Sequence, residues 1–376
     1  MPYGNLNVDT VTTSTTGGVL GAGNASIMKN RCINGDMRID QRNAGASVST
    51  TDTTQNIYTL DRWYYRNLVA SKYTIQQNAG SVTPPVGFTN YLGCTSTSAY
   101  TVGAADFFSV SQNIEGFNFA DLQWGTANAK TITLSAWVYS SLTGTFGGAL
   151  LNSAGNRSYP FTYSIPVANT WTQISITIAG DTTGTWVGAT NGIGVIVRFS
   201  LGSGSTYSGT AGSWAGTAYT SATGATSVVG TNGATFYITG IQLEVGSSAT
   251  GFEYRQYQQE LALCQRYLPA FSGSGQTGNG GNAISSSQSY VTIQFPVTTR
   301  VSPTGITVNT IGYYTTGCAG ITGDVVLSSL SFNQASTSTA LLLAQQGAGA
   351  NLTSGQLVTL RANNSAAVFY FTGCEL

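Results

Sequence analysis

Apolar and polar residues alternate in run after run between residues 30 and 245. Residues 57–66, 107–115 and 131–140 each show period-two alternation, and in the last of them Ile132, Leu134, Ala136 and Val138 fall on one face of an extended strand. Residues 171–178 place Ile174, Ile176 and Ile178 together. Residues 193–201 repeat the device with Val195, Val197 and Phe199, and residues 236–245 close the series. About eight or nine such strands, parted by Gly-rich turns with no helical interlude, predict a two-sheet antiparallel sandwich of jelly-roll type. Residues 202–233 interrupt the alternation. They carry no charge, are dense in Gly, Ser and Thr, and hold Tyr207, Trp214 and Tyr219, which predicts a long surface loop or hairpin.

One stretch changes period. In residues 251–268, larger and apolar side chains recur at Tyr254, Tyr257, Leu261, Cys264 and Leu268, the spacing of one helical face. Gly251 and Pro269 bracket the run, and its Glu, Gln, Leu, Ala and Arg content favours a helix. Two arrangements satisfy that stripe: a helix packed on its own domain, or a short parallel bundle in which three chains meet along Tyr257, Leu261, Cys264 and Leu268. Two heptads cannot hold three chains alone, since coiled coils want about three or four, so a bundle would need the β domains to join in.

Beyond the helix, residues 272–282 read as a Gly/Ser/Asn linker. Shorter strand signals at 290–297, 305–314, 325–332, 356–361 and 366–371 then predict a second, smaller β-sandwich. Before the first strand, residues 1–29 have too few apolar anchors for a core and read as an extended connector or attachment arm. The expected organisation is therefore all-β: an arm at 1–29, a jelly roll at 30–250, the helix at 251–270 and the second sandwich at 271–376.

Composition narrows the chemistry. Only 7% of the 376 residues are charged, against roughly 25% in ordinary soluble domains, and fourteen basic residues cancel fourteen acidic ones. No basic patch exists to release counterions from phosphates, which excludes a nucleic-acid binder. Histidine is absent, and with it Ser-His-Asp and Cys-His chemistry and the usual zinc sites. Five widely spaced cysteines (Cys32, Cys94, Cys264, Cys318, Cys374) form no CxxC and suit buried free thiols in a protein assembled in reducing cytosol. No apolar run approaches a membrane span, and no basic-then-apolar leader opens the sequence, so neither membrane insertion nor export by a cleaved signal is expected.

Catalytic motifs are missing where chemistry would need them. Residues 273–278 fit GxGxxG, but they follow a helix rather than a strand and precede a glycine linker, the wrong context for a dinucleotide site. A glycosidase needs two carboxylates across a cleft. Asp36, Asp40, Asp61, Asp106, Glu115 and Asp121 are available, yet nothing in the sequence pairs them. The alternation Asp36, Arg38, Asp40, Arg42, followed by Asp61, Arg62 and Arg66, predicts ion pairs at a sheet rim. Oxygen-rich loops with Asp36 or Glu244 could hold calcium, but the ligand spacing of a known calcium loop is absent, and no cofactor is expected.

Sugar binding asks for flat aromatic faces with hydroxyl partners around them. The candidates are Tyr207, Trp214 and Tyr219 in the charge-free stretch and Tyr313 and Tyr314 in the second domain. Trp63, Trp137 and Trp171 lie within regular strands, where core packing is the expectation.

Several segments resemble phage tail fibres and related receptor-binding tail proteins: NRCINGDMRIDQRNAG (30–45), TLDRW (59–63), SVSQNIEG (109–116), TLSAWV (133–138), ITGIQLEVG (238–246), GFEYRQYQQELALCQRYL (251–268) and FPVTTRVSPT (295–304). The resemblance implies a homotrimeric virion fibre, assembled in the host cytoplasm, whose jelly roll is similar to carbohydrate-binding modules and whose last domain is a host-facing tip. It implies no catalytic residues. It further implies attachment to a host surface glycan or lipopolysaccharide, and to other virion tail proteins or an adaptor through the N-terminal arm. The rival readings are a hydrolase or deacetylase acting on surface polysaccharide and a purely structural fibre segment.

Overall fold

The structure is a computed structural model and describes residues 29–376 except 274, 319–323 and 349–350. The arm expected at the N-terminus lies outside the described residues but for Lys29. The first domain comprises β1 (Val48–Ser49), β2 (Ile57–Leu60), β3 (Trp63–Asn67), β4 (Tyr73–Gln77), β5 (Leu92–Ser96), β6 (Phe107–Glu115), β7 (Ile132–Ser140), β8 (Gly144–Leu151), β9 (Ser158–Ile165), β10 (Thr172–Ile178), β11 (Ile193–Ser203), β12 (Ser208–Gly209), β13 (Ser221–Ala222) and β14 (Thr235–Val245). Two six-stranded antiparallel sheets form, in the orders β1-β4-β5-β14-β7-β10 and β2-β3-β6-β11-β8-β9. The alternation in the sequence sets which face meets the core. Ile174, Ile176 and Ile178 on β10 lie opposite Ala136, Leu134 and Ile132 on β7. Across the interior they join Trp63, Phe108, Val110, Val195, Val197 and Phe199 in one cluster. Between β14 and β7 the register shifts at residues 239–242. Gly240 sits there with φ +61°, and a Cβ would come within 2.6 Å of the Phe88 ring, so both conformation and space call for glycine.

The charge-free stretch is held against the sandwich rather than free. β12 and β13 pair as a short parallel ladder. Thr226 N donates to Thr145 O at 2.7 Å and Val228 N to Leu201 O at 2.8 Å. Val228 and Val229 are fully buried in the main core, and small residues let the segment approach closely, so that a Cβ on Gly147 would lie 2.5 Å from Ser221 Oγ.

Helix α1 (Tyr257–Gln265) is half the length the spacing predicts. Residues 251–256, including Tyr254, lie outside the helix and form no regular element. The predicted intersubunit stripe is largely consumed within the chain. Cys264 is 0% and Leu268 1% exposed, and Leu261 packs with Ile33, Ile39, Cys264 and Tyr267; Tyr257 alone of the four is exposed. This corrects the placing of Cys264 and Leu268 on a seam between chains, since both already face their own domain, and leaves Leu261 half-buried and Tyr257 exposed. Helical spacing reports an apolar face but not what covers it. The cover here is the segment 30–41. Asn34 N donates to the Glu260 carboxylate, Arg255 Nη1 donates to Cys32 O at 3.2 Å, and Arg38 Nη2 donates to Arg255 O at 2.9 Å.

The second domain comprises β15 (Ala270–Ser272), β16 (Gly275–Ala283), β17 (Gln288–Gln294), β18 (Gly305–Val308), β19 (Tyr314–Cys318), β20 (Val325–Ala335), β21 (Thr339–Gln346), β22 (Leu357–Ala362) and β23 (Val368–Thr372). Where two open sheets were expected, six strands close into a barrel in the order β16-β17-β21-β20-β19-β22, with β15-β23-β18 as a separate small sheet. Closure removes unpaired strand edges. The segment expected as a linker supplies β16, a strand too rich in glycine to read from side chains. On β21, Ala340, Leu342, Ala344 and Gln346 point inward, and Gln346 Nε2 donates to Ser289 Oγ at 3.0 Å and Thr316 Oγ1 at 3.1 Å.

The two domains are tied by buried charge. Glu375 reaches back between Arg42 at 2.8 Å and Arg62 at 2.5 Å. Tyr58 Oη and Asn113 Nδ2 donate to Leu376 O at 2.5 and 2.8 Å. Arg266 pairs with Glu115 at 2.6 Å, and Tyr267 Oη donates to the same carboxylate at 2.5 Å. Burial pushes the Glu115 carboxyl up, but the bonds from Arg266 and Tyr267 outweigh it and leave the group below its ordinary range.

The expected rim of ion pairs forms only in part. Asp36 pairs with Arg38, whereas Arg42 and Arg62 turn to Glu375. Asp40 accepts from Asn43 N at 2.9 Å and Gly45 N at 2.7 Å. Asp61 is fully buried and accepts from Gln41 N at 2.8 Å and Gln41 Nε2 at 2.5 Å. Burial pushes its carboxyl from 3.8 up to about 7, against the pull of Gln41 and Arg42. A raised folded value means that Asp61 contributes stability below pH 3.8 and that this contribution is lost as pH rises through about 7. Denaturant titrations at pH 4 and pH 8 should accordingly find Asp61→Asn gaining on the native protein at the higher pH. A difference constant with pH, or one that moves the other way, contradicts the assignment.

All five cysteines are free, and Cys32, Cys94, Cys264 and Cys374 are buried. Burial pushes the Cys32 thiol up to about 12 and the Cys374 thiol up to about 11. A thiol reagent should therefore label native protein at Cys318 alone and reach the others only in denaturant. Rapid native labelling of Cys264 would show that the helix face is open.

Candidate functional site: an indole corner of the sandwich

After β6 the chain makes two short turns, at residues 116–118 and 120–122, that bring Phe119 and Trp124 to one corner of the first domain. The connection from β10 to β11 supplies Asp181 and Trp186, the start of β9 supplies Arg157 and Tyr159, and the charge-free stretch supplies Trp214. The rings interlock edge to face. Trp124 lies 4.9 Å from Trp186 and 5.0 Å from Trp214, Trp186 lies 5.5 Å from Trp214, and Tyr159 lies 5.1 Å from Trp214. Trp124 is buried, while Trp186, Trp214 and Tyr159 are half-buried.

Each indole N–H is used inside the protein. Trp124 donates to Lys130 O at 2.8 Å, Trp186 to Asp181 Oδ2 at 3.0 Å and Trp214 to Ala179 O at 2.9 Å. Those bonds fix the rings in place. Arg157 Nε donates to Asp181 Oδ2 at 2.8 Å, and its guanidinium carbon sits 5.9 Å from the centre of Trp214. Burial pushes the Asp181 carboxyl up, but bonds from Arg157, Trp186 and Thr183 prevail and hold it below the usual range. The corner is thus a rigid, half-open aromatic surface bordered by a permanent ion pair.

Of the aromatics expected to bind, only Trp214 joins this corner. Tyr207 packs edge-on against Phe107 at 4.9 Å, pinning its segment. Tyr219 is half-buried, its ring so close to β12 that a Cβ on Gly209 would lie 2.2 Å from Cδ2. Tyr313 is half-buried in the second domain. Tyr314 is 1% exposed and packs on Phe369 in the barrel core, which corrects its assignment to a ligand face. Adjacent strand residues point to opposite sides, and Tyr314 takes the inner one. Trp124, Trp186 and Tyr159 were not legible as partners of Trp214; that Trp124 and Trp186 fall outside the alternating runs was the one available sign. Of the strand tryptophans, Trp63 is core as expected. Trp137 and Trp171 are half-buried, and Trp171 lies beside Tyr91 and Tyr139, the latter stacked on Tyr237 at 5.2 Å.

The acids considered for catalysis have partners. Asp106 accepts from Tyr100 Oη at 2.7 Å and Asp121 from Arg31 at 2.7 Å, with Asp36, Asp40, Asp61 and Glu115 bonded as described. Glu244 accepts from Thr250 N at 2.9 Å and Thr250 Oγ1 at 2.6 Å. Among the described residues no group of three or more potential metal ligands comes together.

No family model matches the sequence, and no curated protein does. The chain is all-β. Among solved structures it is similar to the enzymatically active domain of tailspike protein 4 of bacteriophage CBA120, at 12% identity and a TM-score of 0.29, over 56% of this chain and 22% of that one. The chain thus spans about a fifth of that structure's length. It is also similar to a CBM4 module, at 13% identity and a TM-score of 0.28, over 57% of this chain and 98% of the module. A family 11 carbohydrate-binding module from Clostridium thermocellum, in complex with a β-1,3-1,4-mixed-linked tetrasaccharide, gives 10% identity and a TM-score of 0.27, over 55% of this chain and 99% of that one. Overlaps this shallow add nothing to the fold assignment, which rests on strand order and register.

Proposed function

We propose that the chain is the receptor-binding part of a virion tail fibre, which attaches to a host surface glycan or lipopolysaccharide and does not cleave it. The observation that carries this reading is the indole corner. Trp186, Trp214 and Tyr159 offer half-buried rings of the kind on which the C–H face of a pyranose stacks. At their edge Arg157 spends Nε and Nη2 on the buried Asp181 carboxylate, which also accepts from Trp186 and Thr183, so this pair holds the platform in place for the sugar rather than bonding its hydroxyls. The resemblance of seven sequence segments to tail-fibre proteins supports the same conclusion. Binding without cleavage is favoured because each acid considered for catalysis is engaged in its own ion pair or hydrogen bonds, with none left as an opposed pair.

The virion role includes three copies of the chain, so that weak sites engaging together gain about two to four orders of magnitude in avidity. With Cys264 and Leu268 buried, the contact between copies draws on apolar side chains that stay exposed: Val86 on the first domain, Tyr254 and Tyr257 on the helix and the segment leading into it, and Leu357 on the second domain. Purified protein should adsorb to host cells and release neither reducing ends nor acetate from their glycan. Released product would turn the assignment to a hydrolase or deacetylase, and no adsorption would turn it to a structural segment.

A further inference from the structure

The outer face of the first sheet carries polar groups that the fold leaves unused. Leu134, Ala136 and Val138 on β7 and Ile174 on β10 point into the core, so the residues between them point out. Register sets Trp137 opposite Gln173 and Ser135 opposite Ser175. The four side chains form a patch of about 7 Å along the strands and about 5 Å between them. Of the six tryptophans, five use the indole N–H inside the protein: Trp63 on Asn34 O at 3.0 Å, Trp171 on Thr83 O at 2.9 Å, and Trp124, Trp186 and Trp214 as described. Trp137 is half-buried, and its N–H has no hydrogen bond among the described residues and is not shielded from water. The Ser135 hydroxyl is likewise unbonded and reachable. Gln173 and Ser175 are exposed, and their side chains make no hydrogen bond among the described residues. Half-buried rings continue the surface. Tyr139 and Trp171 lie one row along, 5.4 Å apart, and Phe88 borders Trp137 on the β14 side, where a Cβ on Gly240 would lie 2.6 Å from Phe88 and 3.2 Å from Trp137.

We propose that this patch is a second glycan contact, one that takes an uncharged sugar ring. That the ligand is a sugar rests on the glycan-binding reading above; its lack of charge and its place rest on the patch. Sugar hydroxyls accept from the Trp137 N–H, which only donates, and both accept from and donate to Ser135, Gln173 and Ser175. The half-buried indole supplies a face for the C–H groups of the ring. Neither β7 nor β10 carries a charged side chain. Residues 82–90 and 246–252 carry none either, and they run beside those strands through the bonds of Trp171 to Thr83 O and Thr177 Oγ1 to Ser247 O. A carboxylate or phosphate ligand gains no cation from any of these elements. An apolar protein surface laid on the patch would cut the same four groups off from water without bonding them, which is costly. The patch shares no residue with the indole corner, so a chain holding both engages one polysaccharide at two points.

Hydroxyl-radical footprinting of the intact chain, with and without the glycan extracted from the host surface, tests this. Trp137 and Trp171 should both be protected, alongside Trp214 in the corner. Trp137→Phe keeps a ring and deletes the N–H. It should raise the glycan concentration that half-protects Trp171 about fivefold, the ratio expected for one hydrogen bond, and leave that for Trp214 unchanged. Gln173→Leu, at an exposed position, should raise it several-fold with the same selectivity. Protection of Trp214 without Trp137, or a shift equal at the two sites, overturns this proposal alone. No protection anywhere overturns the glycan reading and this proposal with it. Protection of Trp137 that rises with protein concentration in the absence of glycan assigns the patch to a contact between copies instead.

Discussion

Glu375→Ala should lower the unfolding free energy by about 3–5 kcal/mol, the cost typical of breaking a buried ion pair from one side. The substitution strands two arginines. Arg62 is 1% exposed and remains held by Asn113 O at 2.6 Å and by the Tyr267 ring, whose centre is 3.6 Å from the guanidinium carbon, so it cannot swing out to water. Arg42 is 13% exposed and loses the same carboxylate. Denaturant melts should also show the barrel and the sandwich parting, since Arg300 braces this segment through Cys374 O at 2.8 Å and Glu375 O at 2.5 Å. A loss below about 1 kcal/mol, the scale of an exposed pair, would mean that the joint is wet and the domains move independently.

Trp214→Ala should weaken adsorption to host cells by about thirtyfold per site, the consequence of removing roughly 2 kcal/mol of aromatic contact. Loss across several copies would compound. Trp214 touches Trp124, Trp186 and Tyr159 at once, so its removal takes away part of the surface and loosens the rest. Tyr207→Ala is the control: it sits in the same charge-free stretch but packs on Phe107. Equal adsorption losses in the two variants would point to general loosening of the segment. Unchanged adsorption by a folded Trp214→Ala protein would remove the corner from the site.

Strand positions in the first domain were legible because both sheets bury one face, and burial writes itself as period two. Ile132, Leu134, Ala136 and Val138 are each at most 1% exposed, as their spacing predicts. The barrel's closure was not legible, because β16 is mostly Gly, Asn and Gln and its pairing comes from the backbone. The helix showed its apolar face but not its cover: Ile33 and Ile39 are more than two hundred residues away in sequence. Trp214 could be named as a candidate from its charge-free surroundings. Its partners could not, since Trp124 and Trp186 come from two separate connections and Tyr159 from the start of β9, which only the tertiary fold brings together.

The most direct measurement is a binding isotherm of the purified chain on glycan extracted from the host surface, with the supernatant scanned for released fragments. Saturable binding that Trp214→Ala reduces, with no product formed, is the expected result. Either a flat isotherm for the native chain or fragments accumulating with time would contradict it.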